Sequence, residues 1–490
     1  MAESIRVTEG TEGTEGSQGS QGSRGTGLLG RHVVPRPGRR HPHLPADTGK
    51  SRLTPPGWIA GKAGRAYRAP LIAAASAALL IAAAAPAPAS AHPAPAYPAS
   101  ASAGAHRWTP GWATAVQSPS QSWYPTWAEA GFDHQTVRQT VRVGADGSEL
   151  RVRLSHAFGT TPLRLTGATV GVSAGGAAVR PGTVRALTFG GSASPSIRPG
   201  DRPTSDPVQL PVKAGDRLAV TLFFVGPSGP ATFHNVAMET TYRADGDHRA
   251  DVSADAFAQK SASWYFLEGV DVAGKPAGAR RDTVVALGDS LTDGAASTPG
   301  ADNRYPDQLS RRLAAEGRPR PVLNAGIGGN RVLSDSACFG EKATTRFRHD
   351  VLDQIRVGTV IVLEGTNDIL MGETPANACT TTNRRVTAAE LIEGHSALIR
   401  AARARGITVV GATLPPGKGM ESGTPAETRT ALNQWIRTSG RYDAVVDFDR
   451  VLADPLNPGR LLPAYDSGDG LHPNDAGYRA MADAVDLDSL

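Results

Sequence analysis

The stretch from Val284 to Gly294, VVALGDSLTDG, constrains the fold of this chain more than any other stretch. It begins as a run of Val, Ala and Leu, which is the composition of a strand buried in a parallel sheet. The Gly-Asp-Ser that follows ends the strand, so we expect Ser290 at the carboxyl edge of a sheet, where open α/β folds build their sites. A serine at such a junction also commonly caps the next helix, and this stretch alone leaves both interpretations open.

The same strand-then-helix pattern repeats towards the C-terminus. The predicted strands are 283–288, 321–326, 359–364, 407–413 and 444–448. The predicted helices are 303–316, 344–355, 387–405, 425–439 and 474–486. This alternation predicts a parallel sheet covered by helices on both faces, with right-handed crossovers. The turns that follow the strands then meet at one edge, where we expect the chemistry.

The region 106–272 has a different pattern, with short alternating runs bounded by Gly, Pro, Asp or Ser. Examples of these runs are 140–143, 150–154, 163–165, 208–210 and 218–225. Strands at this spacing, without a helical period, predict an antiparallel β sandwich of the jelly-roll kind. Linkers at 92–105 and 273–281 separate this accessory domain from a leader and from the domain at 282–490. We expect it to support or extend a substrate site without supplying a catalytic residue.

Most of the tryptophans lie in this β region, namely Trp108, Trp112, Trp123, Trp127 and Trp264. Aromatic side chains on a β sandwich can form a platform on which sugar rings stack. They more often fill the core or an interface between domains. The second interpretation is the one we favour.

Residues 1–91 are predicted to be a disordered leader followed by a signal peptide. The first 60 are rich in Gly, Ser, Thr, Glu, Pro and Arg and lack an apolar period. Basic residues between Lys62 and Arg68 precede the apolar run 71–85, and the small residues 89–91 match a cleavage site. The run is short for a membrane span. We therefore expect secretion with cleavage near Ala91 and no stable membrane association afterwards. An uncleaved anchor is the alternative, and a start codon assigned too far upstream would explain the long extension.

The formal charge of +5 invites a nucleic-acid interpretation. Residues 1–91 hold 11 of the 51 Lys and Arg residues and 5 of the 46 Asp and Glu residues, which leaves 40 and 41 for the rest of the chain. The basic excess therefore belongs to the leader. Nucleic acid is accordingly rejected as a partner of the mature chain.

The exported part of the chain holds two cysteines, Cys338 and Cys379. An oxidising compartment favours one disulfide between them, and two separate thiols are the alternative. The sequence has no Cys-x-x-Cys motif and no Cys/His cluster, so no metal site is predicted.

Four short blocks in the C-terminal half carry polar residues at or near predicted strand ends. They are Gly288-Asp289-Ser290-Leu291, a glycine turn ending at Gly329, Gly365-Thr366-Asn367-Asp368 and Asp469-Gly470-Leu471-His472. In this order they resemble the SGNH (GDSL) hydrolase superfamily, and the region as a whole looks most like secreted bacterial GDSL esterases with an N-terminal β domain. The resemblance covers about 280–486. It implies a flavodoxin-like three-layer α/β/α domain with a five-stranded parallel sheet.

The same residues can be assigned roles from their chemistry. A serine hydroxyl needs a base to become nucleophilic, and His472 lies on a Gly- and Asp-rich turn ahead of a helix start. Asp469, three residues earlier, can orient the imidazole and stabilise its cation. The negative charge that develops in acyl transfer needs fixed donors. The expected donors are the Ser290 N–H and the Asn367 side-chain amide. The resemblance adds the backbone of Gly329, which matches the glycine of the family's block and lets the backbone approach the substrate closely.

These residues together predict a secreted serine esterase that works through an acyl-enzyme on Ser290, without a metal or organic cofactor. The expected substrates are short acyl or acetyl esters, including those on polysaccharide. One alternative is a GDSL lipase or acylhydrolase acting on lipid esters, although no sizeable apolar lid is evident. The other is a catalytically inert carbohydrate-binding surface protein. The oligomeric state is left open.

Overall fold

The computed structural model describes residues 108–122, 124–274 and 282–490. The leader, the cleavage site near Ala91, the 92–105 linker, most of the 273–281 linker and Trp123 lie outside these ranges. Expectations about them stay predictions. Within the described ranges, no helix has the length and apolar character needed to cross a membrane.

Residues up to Gly274 form a β domain. Its strands are β1 Trp108–Ala113, β2 Gln135–Arg142, β3 Gly147–Leu154, β4 Leu163–Arg164, β5 Gly167–Gly175, β6 Ala178–Val179, β7 Arg185–Leu187, β8 Ser196–Ile197, β9 Val208–Val212, β10 Arg217–Phe224, β11 Phe233–His234, β12 Thr241–Asp245, β13 Gln259–Ser261, β14 Trp264–Tyr265 and β15 Leu267–Ala273. The five runs that the sequence singled out fall on β2, β3, β4, β9 and β10.

These strands form two main antiparallel sheets. One sheet has the order β1-β15-β3-β9, and the other has the order β13-β12-β2-β10-β5-β6, with β7 also paired to β5. Apolar side chains from both sheets, such as Val152 of β3 and Val220 of β10, belong to one buried core. The predicted antiparallel sandwich is therefore confirmed. Strands β3 and β9 alternate in burial as predicted, whereas β2, β10 and β15 are buried along almost their whole length.

Three of the tryptophans are buried in this region. Trp108, Trp112 and Trp264 are 6%, 9% and 2% exposed, respectively. Trp112 and Trp264 lie edge to face with ring centroids 4.8 Å apart. Trp127 is half-buried, and the Arg243 guanidinium lies over its ring. For the buried rings the core interpretation is correct, because a buried ring offers no face to a sugar.

The domain from Asp282 onward alternates strands and helices. Its strands are β16 Thr283–Gly288, β17 Val322–Gly326, β18 Val357–Leu363, β19 Thr408–Ala412, β20 Ala444–Val446, β21 Ala453–Asp454 and β22 Asn457–Leu461. Its α-helices are α1 Ser290–Asp293, α2 Tyr305–Ala315, α3 Ala343–Phe347, α4 Thr366–Met371, α5 Ala388–Arg403, α6 Gly423–Thr438, α7 Phe448–Leu452 and α8 Asp475–Ala484. A π-helical turn, Arg348–Leu352, continues α3, and a 3-10 turn covers Leu487–Ser489.

The five parallel strands have the order β17-β16-β18-β19-β20. The helices contact one another in two sets, α3 to α6 on one hand and α2, α7 and α8 on the other, as expected when both faces of a sheet are covered. The predicted α/β fold with a five-stranded parallel sheet is confirmed. The strand order reverses at β16, and this is the edge at which open α/β folds bind ligands.

The register brings three strand ends together. Gly288 at the end of β16 lies opposite Gly326 of β17 and Leu363 of β18. Helix α1 then packs so closely on the end of β17 that a Cβ atom on Gly326 would lie 2.2 Å from the Asp293 backbone nitrogen. Glycine is thus required at 326 by this close approach.

The two domains share an interface. Ala113 and Ala115 of the β domain belong to the apolar core of the α/β domain. The Gln117 side chain donates to the Cys338 carbonyl over 2.5 Å, and the Gly300 N–H donates to the Met238 carbonyl over 2.8 Å. The sandwich therefore packs directly against the α/β domain.

Candidate active site

Ser290 is the first residue of α1, directly beyond the buried strand β16. The Asp289 side chain caps the helix by accepting the Leu291 N–H over 2.9 Å, and Gly294 ends it in a left-handed conformation with φ of 94°. The cap is thus Asp289, and Ser290 is left with its side chain directed to the site. As the first helical residue, Ser290 also has a backbone N–H without an intrahelical acceptor.

Ser290, His472 and Asp469 form a chain of hydrogen bonds. His472 Nε2 lies 2.9 Å from Ser290 Oγ, and His472 Nδ1 lies 2.6 Å from Asp469 Oδ2. Because a carboxylate only accepts, Nδ1 carries the proton and Nε2 is free to accept from the serine hydroxyl. The arrangement is that of a nucleophile, a general base and an orienting carboxylate.

The Asp469 carboxylate is held by its own turn. Asp469 Oδ1 accepts the backbone N–H groups of Leu471 and His472, each over 2.8 Å. Burial alone raises the pKa of Asp469, but the bonds from the His472 backbone and ring and from the Leu471 backbone outweigh it, and the pKa ends below its ordinary value. Hydrogen bonds to the ionised form thus keep Asp469 available as an anionic partner for the imidazole.

The three predicted oxyanion donors lie around the same space. A cavity of about 320 Å³ is lined by all five predicted site residues, Ser290, Gly329, Asn367, Asp469 and His472. Gly329 has a φ of 80°, and a Cβ atom there would lie 2.5 Å from the Phe339 ring. Both the backbone conformation and the contact with Phe339 therefore require glycine at this position.

The Asn367 side-chain amide is already engaged with neighbouring groups. Its Nδ2 donates to the Asn330 carbonyl over 3.1 Å and, over 3.3 Å, to Asp289 Oδ2. These bonds fix the amide beside the glycine turn and the serine. An oxyanion in the cavity would accept a hydrogen bond from one of these N–H groups in place of its present partner. The bond to Asp289 is the longer and therefore the weaker of the two, so it is the one we expect to be replaced.

Asp289 and Asp368, the two buried aspartates of the sequence blocks, accept hydrogen bonds from backbone N–H groups. Asp368 accepts the N–H groups of Val332 and Leu333 over 2.7 and 3.0 Å. Burial raises the pKa of Asp289 and of Asp368 to about 6 in each case, against the hydrogen bonds that lower it. Asp289 and Asp368 therefore both serve as acceptors for backbone N–H groups.

Arg346 joins the ends of strands β16 and β17, and no motif in the sequence predicts this role. Its guanidinium donates to the carbonyls of Gly288 and Ala325 over 2.9 and 2.7 Å and to Asn330 Oδ1 over 2.8 Å. It also pairs with Asp350 and with Glu364. Arg346 thereby links the serine strand to the glycine turn.

The predicted disulfide between Cys338 and Cys379 is present. Cys338 directly precedes Phe339, whose ring packs on Gly329. The disulfide joins the loop after β17 to the loop after α4. The same loops are also joined by the Ser336 hydroxyl, which donates to the Cys379 carbonyl over 2.6 Å. The cross-link thus belongs to the loop that supports the glycine turn.

Two lining residues of the cavity come from the β domain, namely Tyr124 and Val236. They lie 166 and 54 positions before Ser290, with no motif around them, and no signal in the sequence marks them. The remaining wall includes the apolar side chains of Ala295, Met371 and Leu471. The accessory domain therefore extends the wall of the site.

No group of three or more His, Cys, Asp or Glu side chains with the arrangement of a metal site occurs among the residues that the structure describes.

Residues 286–480 match the model of the GDSL-like Lipase/Acylhydrolase family. This domain accordingly belongs to the SGNH/GDSL hydrolases, a class of ester-hydrolysing enzymes. No curated protein matches the chain.

Several solved structures are similar to about two fifths of the chain. A protein from Desulfitobacterium hafniense DCB-2 assigned to the lipolytic G-D-S-L family is 24% identical, with 41% of this chain and 97% of that chain covered and a TM-score of 0.31. The lipase/acylhydrolase from Enterococcus faecalis is 20% identical, with 41% and 92% covered and a TM-score of 0.32. A mutant of an acetyl-xylooligosaccharide esterase from Geobacillus is 20% identical, with 42% and 92% covered and a TM-score of 0.33.

Proposed function

We propose that this protein is a serine esterase that hydrolyses short carboxylic esters through an acyl-enzyme on Ser290. The observation that carries the proposal is the hydrogen-bonded chain from Ser290 Oγ through His472 to Asp469, with contacts of 2.9 and 2.6 Å. The family match supports ester hydrolysis as the reaction class. An inert binding protein would have no need of this geometry.

In the first half of the reaction His472 Nε2 takes the hydroxyl proton as Ser290 Oγ attacks the ester carbonyl carbon. The carbonyl oxygen becomes an anion, which the backbone N–H groups of Ser290 and Gly329 and the Asn367 amide stabilise. The imidazolium is stabilised by Asp469 and then gives its proton to the departing alcohol. An ester bond to Ser290 has formed and the substrate ester bond has broken.

In the second half of the reaction a water molecule takes the place of the alcohol. His472 accepts a proton from the water as its oxygen attacks the acyl carbon, and the same donors stabilise the second oxyanion. The proton returns to Ser290 Oγ as the acyl bond breaks. The carboxylic acid leaves and the resting site is restored.

The size of the cavity supports a small acyl group. Its volume of about 320 Å³ is at the low end of the range for small-molecule sites. Tyr124 and Val236 close it on the side of the β domain, and Met371 and Leu471 contribute apolar wall. We propose acetyl and other short acyl esters as substrates, including acetyl groups on polysaccharide.

We also propose that the protein acts outside the cell. The apolar run 71–85 and the small residues 89–91 support export, and a disulfide persists in oxidising compartments. Determination of the N-terminal residue of protein recovered from culture medium tests this. His92 at the N-terminus is the expected result, and an intact leader on membrane-bound protein would contradict it.

The catalytic assignment is tested by turnover of p-nitrophenyl acetate. Ser290→Ala and His472→Ala should each lower kcat by several orders of magnitude while the protein stays folded. Asn367→Ala should lower kcat by about 10² to 10³, because one oxyanion donor is lost. A series of p-nitrophenyl esters of increasing chain length, together with acetylated xylan, then defines the substrate.

A control for these variants is Ser467→Ala, an exposed serine on the turn that carries His472. It should leave kcat unchanged and retain labelling by a fluorophosphonate probe. Near-normal turnover by Ser290→Ala would end the proposed mechanism.

A further inference from the structure

His234 of the β domain is buried against the α/β domain. Its side chain and that of Asp293 are each 2% exposed, and His234 Nε2 lies 3.1 Å from Asp293 Oδ1. Asp293 is the last residue of α1, the helix that begins with Ser290. A histidine from one domain therefore pairs with an aspartate on the catalytic helix of the other.

The hydrogen-bond partners of His234 define its charge. Nδ1 lies 2.8 Å from the Ala115 carbonyl oxygen, and Nε2 faces both Asp293 and the Val236 carbonyl oxygen at 3.2 Å. With Asp293 ionised, all three partners accept hydrogen bonds, so the imidazolium, which has a proton on each ring nitrogen, is the form of the ring that satisfies them. Burial lowers the pKa of His234, but Asp293 and the two carbonyls raise it further, and the net direction is upward. The pair is therefore a buried ion pair.

Asp293 also binds the glycine turn. Its second oxygen, Oδ2, accepts the Gly328 N–H over 2.8 Å. Gly328 directly precedes Gly329, whose N–H is the proposed oxyanion donor. One carboxylate thus joins a histidine of the sandwich to the peptide unit beside the oxyanion site.

We propose that His234 is a positioning residue for catalysis, which holds Asp293 so that Asp293 in turn fixes the Gly328–Gly329 turn at the oxyanion site. This inference rests on the proposed esterase function. His234 does not line the cavity described above, and its contact with the catalytic helix is the bond to Asp293. The accessory domain thereby contributes to the reaction and not only to the wall of the site.

Loss of the imidazolium has a direct physical consequence. Asp293 would be left as a buried carboxylate without its counter-charge, an arrangement that is strongly unfavourable. The carboxylate must then take up a proton, admit water or move, and each of these weakens its bond to the Gly328 N–H. A small displacement of a pre-positioned donor lowers the rate without changing ground-state binding to the same extent.

A matched pair of substitutions separates the contacts of His234. In His234→Gln the side-chain amide reaches the position of Nε2 and keeps a donor for Asp293. In His234→Asn the amide stays near the position of Nδ1 and keeps only the Ala115 contact. We expect His234→Asn to lower kcat for p-nitrophenyl acetate by about tenfold or more, with KM within about twofold, and His234→Gln to retain kcat within about threefold.

The control is His156→Asn. His156 is another buried histidine of the sandwich, 1% exposed, bonded to the Thr161 carbonyl. We expect this variant to lose stability without a change in kcat. If kcat of His234→Asn stays within twofold of the unsubstituted protein, or if both His234 variants lose kcat equally, the proposal is overturned.

A second readout does not depend on activity. Hydrogen–deuterium exchange of the peptide that contains Gly328 and Gly329 should be faster in His234→Asn than in His234→Gln or in the unsubstituted protein. If the unsubstituted protein turns over no ester, the proposed function fails, and this exchange experiment still decides the positioning. Unchanged exchange in His234→Asn would overturn it.

Should His234→Asn not fold, Asp293 offers an equivalent pair. Asp293→Asn keeps an acceptor for Gly328 and a polar partner for His234, whereas Asp293→Ala keeps neither. The proposal expects faster exchange of the Gly328–Gly329 peptide in Asp293→Ala only. Equal exchange in the two variants would contradict it.

Discussion

At the scale of single residues, the site depends on carboxylates that bond to backbone N–H groups. Asp469 fixes the turn that bears His472, Asp293 fixes Gly328, and Asp368 fixes the N–H groups of Val332 and Leu333. Each is close to a group with a proposed role in the reaction. Hydrogen bonds of this charge-assisted kind are stronger than neutral ones, which suits groups that must not move during the reaction.

Asp368 gives a prediction about pH. Burial raises its pKa in the folded protein to about 6, above the ordinary value of about 3.9 for an unfolded chain. The folded state therefore binds more protons between about pH 4 and 6, and the free energy of unfolding must fall as pH rises through this window. The shift corresponds to roughly 3 kcal/mol at most.

The measurement compares urea unfolding of the unsubstituted protein and of Asp368→Asn from pH 4 to 7. Asp368→Asn should be the less stable at pH 4, since one backbone N–H loses its acceptor. The difference should shrink as pH rises, because only the carboxyl titrates. Asp255→Asn, at an exposed position, serves as the control. A difference that stays constant across the range would contradict the prediction.

At the scale of elements, the loop after β17 and the loop after α4 are joined independently of the strands. The Cys338–Cys379 disulfide, the bond from the Ser336 hydroxyl to the Cys379 carbonyl, and a bond of 3.1 Å from Arg331 to the Thr382 carbonyl all cross between them. Because Phe339 follows Cys338 and packs on Gly329, the disulfide supports the same turn that Asp293 holds from the other side.

Removal of the disulfide should therefore affect both stability and rate. The separation of 41 residues gives about 3–4 kcal/mol of stabilisation on the chain-entropy model. We expect reduction to lower the melting temperature and also to lower kcat measured well below it. Gly329 lies on the loop that carries Cys338, and Asn367 lies on α4, which directly precedes the loop that carries Cys379. Thermal melts and p-nitrophenyl acetate turnover with and without reductant measure these effects.

The control for this experiment is the double variant Cys338→Ser, Cys379→Ser, on which reductant should have no effect. Intact-mass analysis after alkylation under non-reducing conditions tests the bond itself. Two alkylated thiols in protein secreted under oxidising conditions would rule the bond out.

At the scale of the whole molecule, the β domain and the α/β domain should unfold together. Ala113 and Ala115 complete the core of the α/β domain, and the ion pair of His234 with Asp293 is buried between the two domains. Arg304 of the α/β domain also donates to the Ala237 carbonyl over 3.2 Å. Separation would expose apolar surface and a buried charge at once, which opposes independent behaviour.

Differential scanning calorimetry should accordingly show one transition, with equal calorimetric and van't Hoff enthalpies. Two resolved transitions would show that the domains unfold independently. We further expect a fragment of residues 282–490 to react with a fluorophosphonate probe at least about tenfold more slowly than the intact chain. The prediction from sequence that the β domain supplies no catalytic residue is unaffected, because the role proposed for His234 is to position Asp293.

The sequence by itself determined the type and order of the main elements. Strands β16 to β20 and the main helices between them can be predicted because each kind of secondary structure has its own spacing of apolar residues along the sequence. The position of the polar blocks can be predicted in a similar way. A buried strand that ends in Gly-Asp-Ser places those side chains at the edge of the sheet. Together with the resemblance of the four blocks to the SGNH hydrolases, this predicted one site made of Ser290, Gly329, Asn367, Asp469 and His472. These residues line one cavity.

Only the tertiary structure decided how the sandwich contributes to that site. His234 and Asp293 are 59 positions apart, and neither lies in a pattern that identifies its partner. Arg346 and Tyr124 were missed for the same reason. A local period reports which face of an element is buried, but not which surface covers it. That choice is made by shape complementarity and by the need to pair buried charges, which depend on contacts between residues distant in the chain.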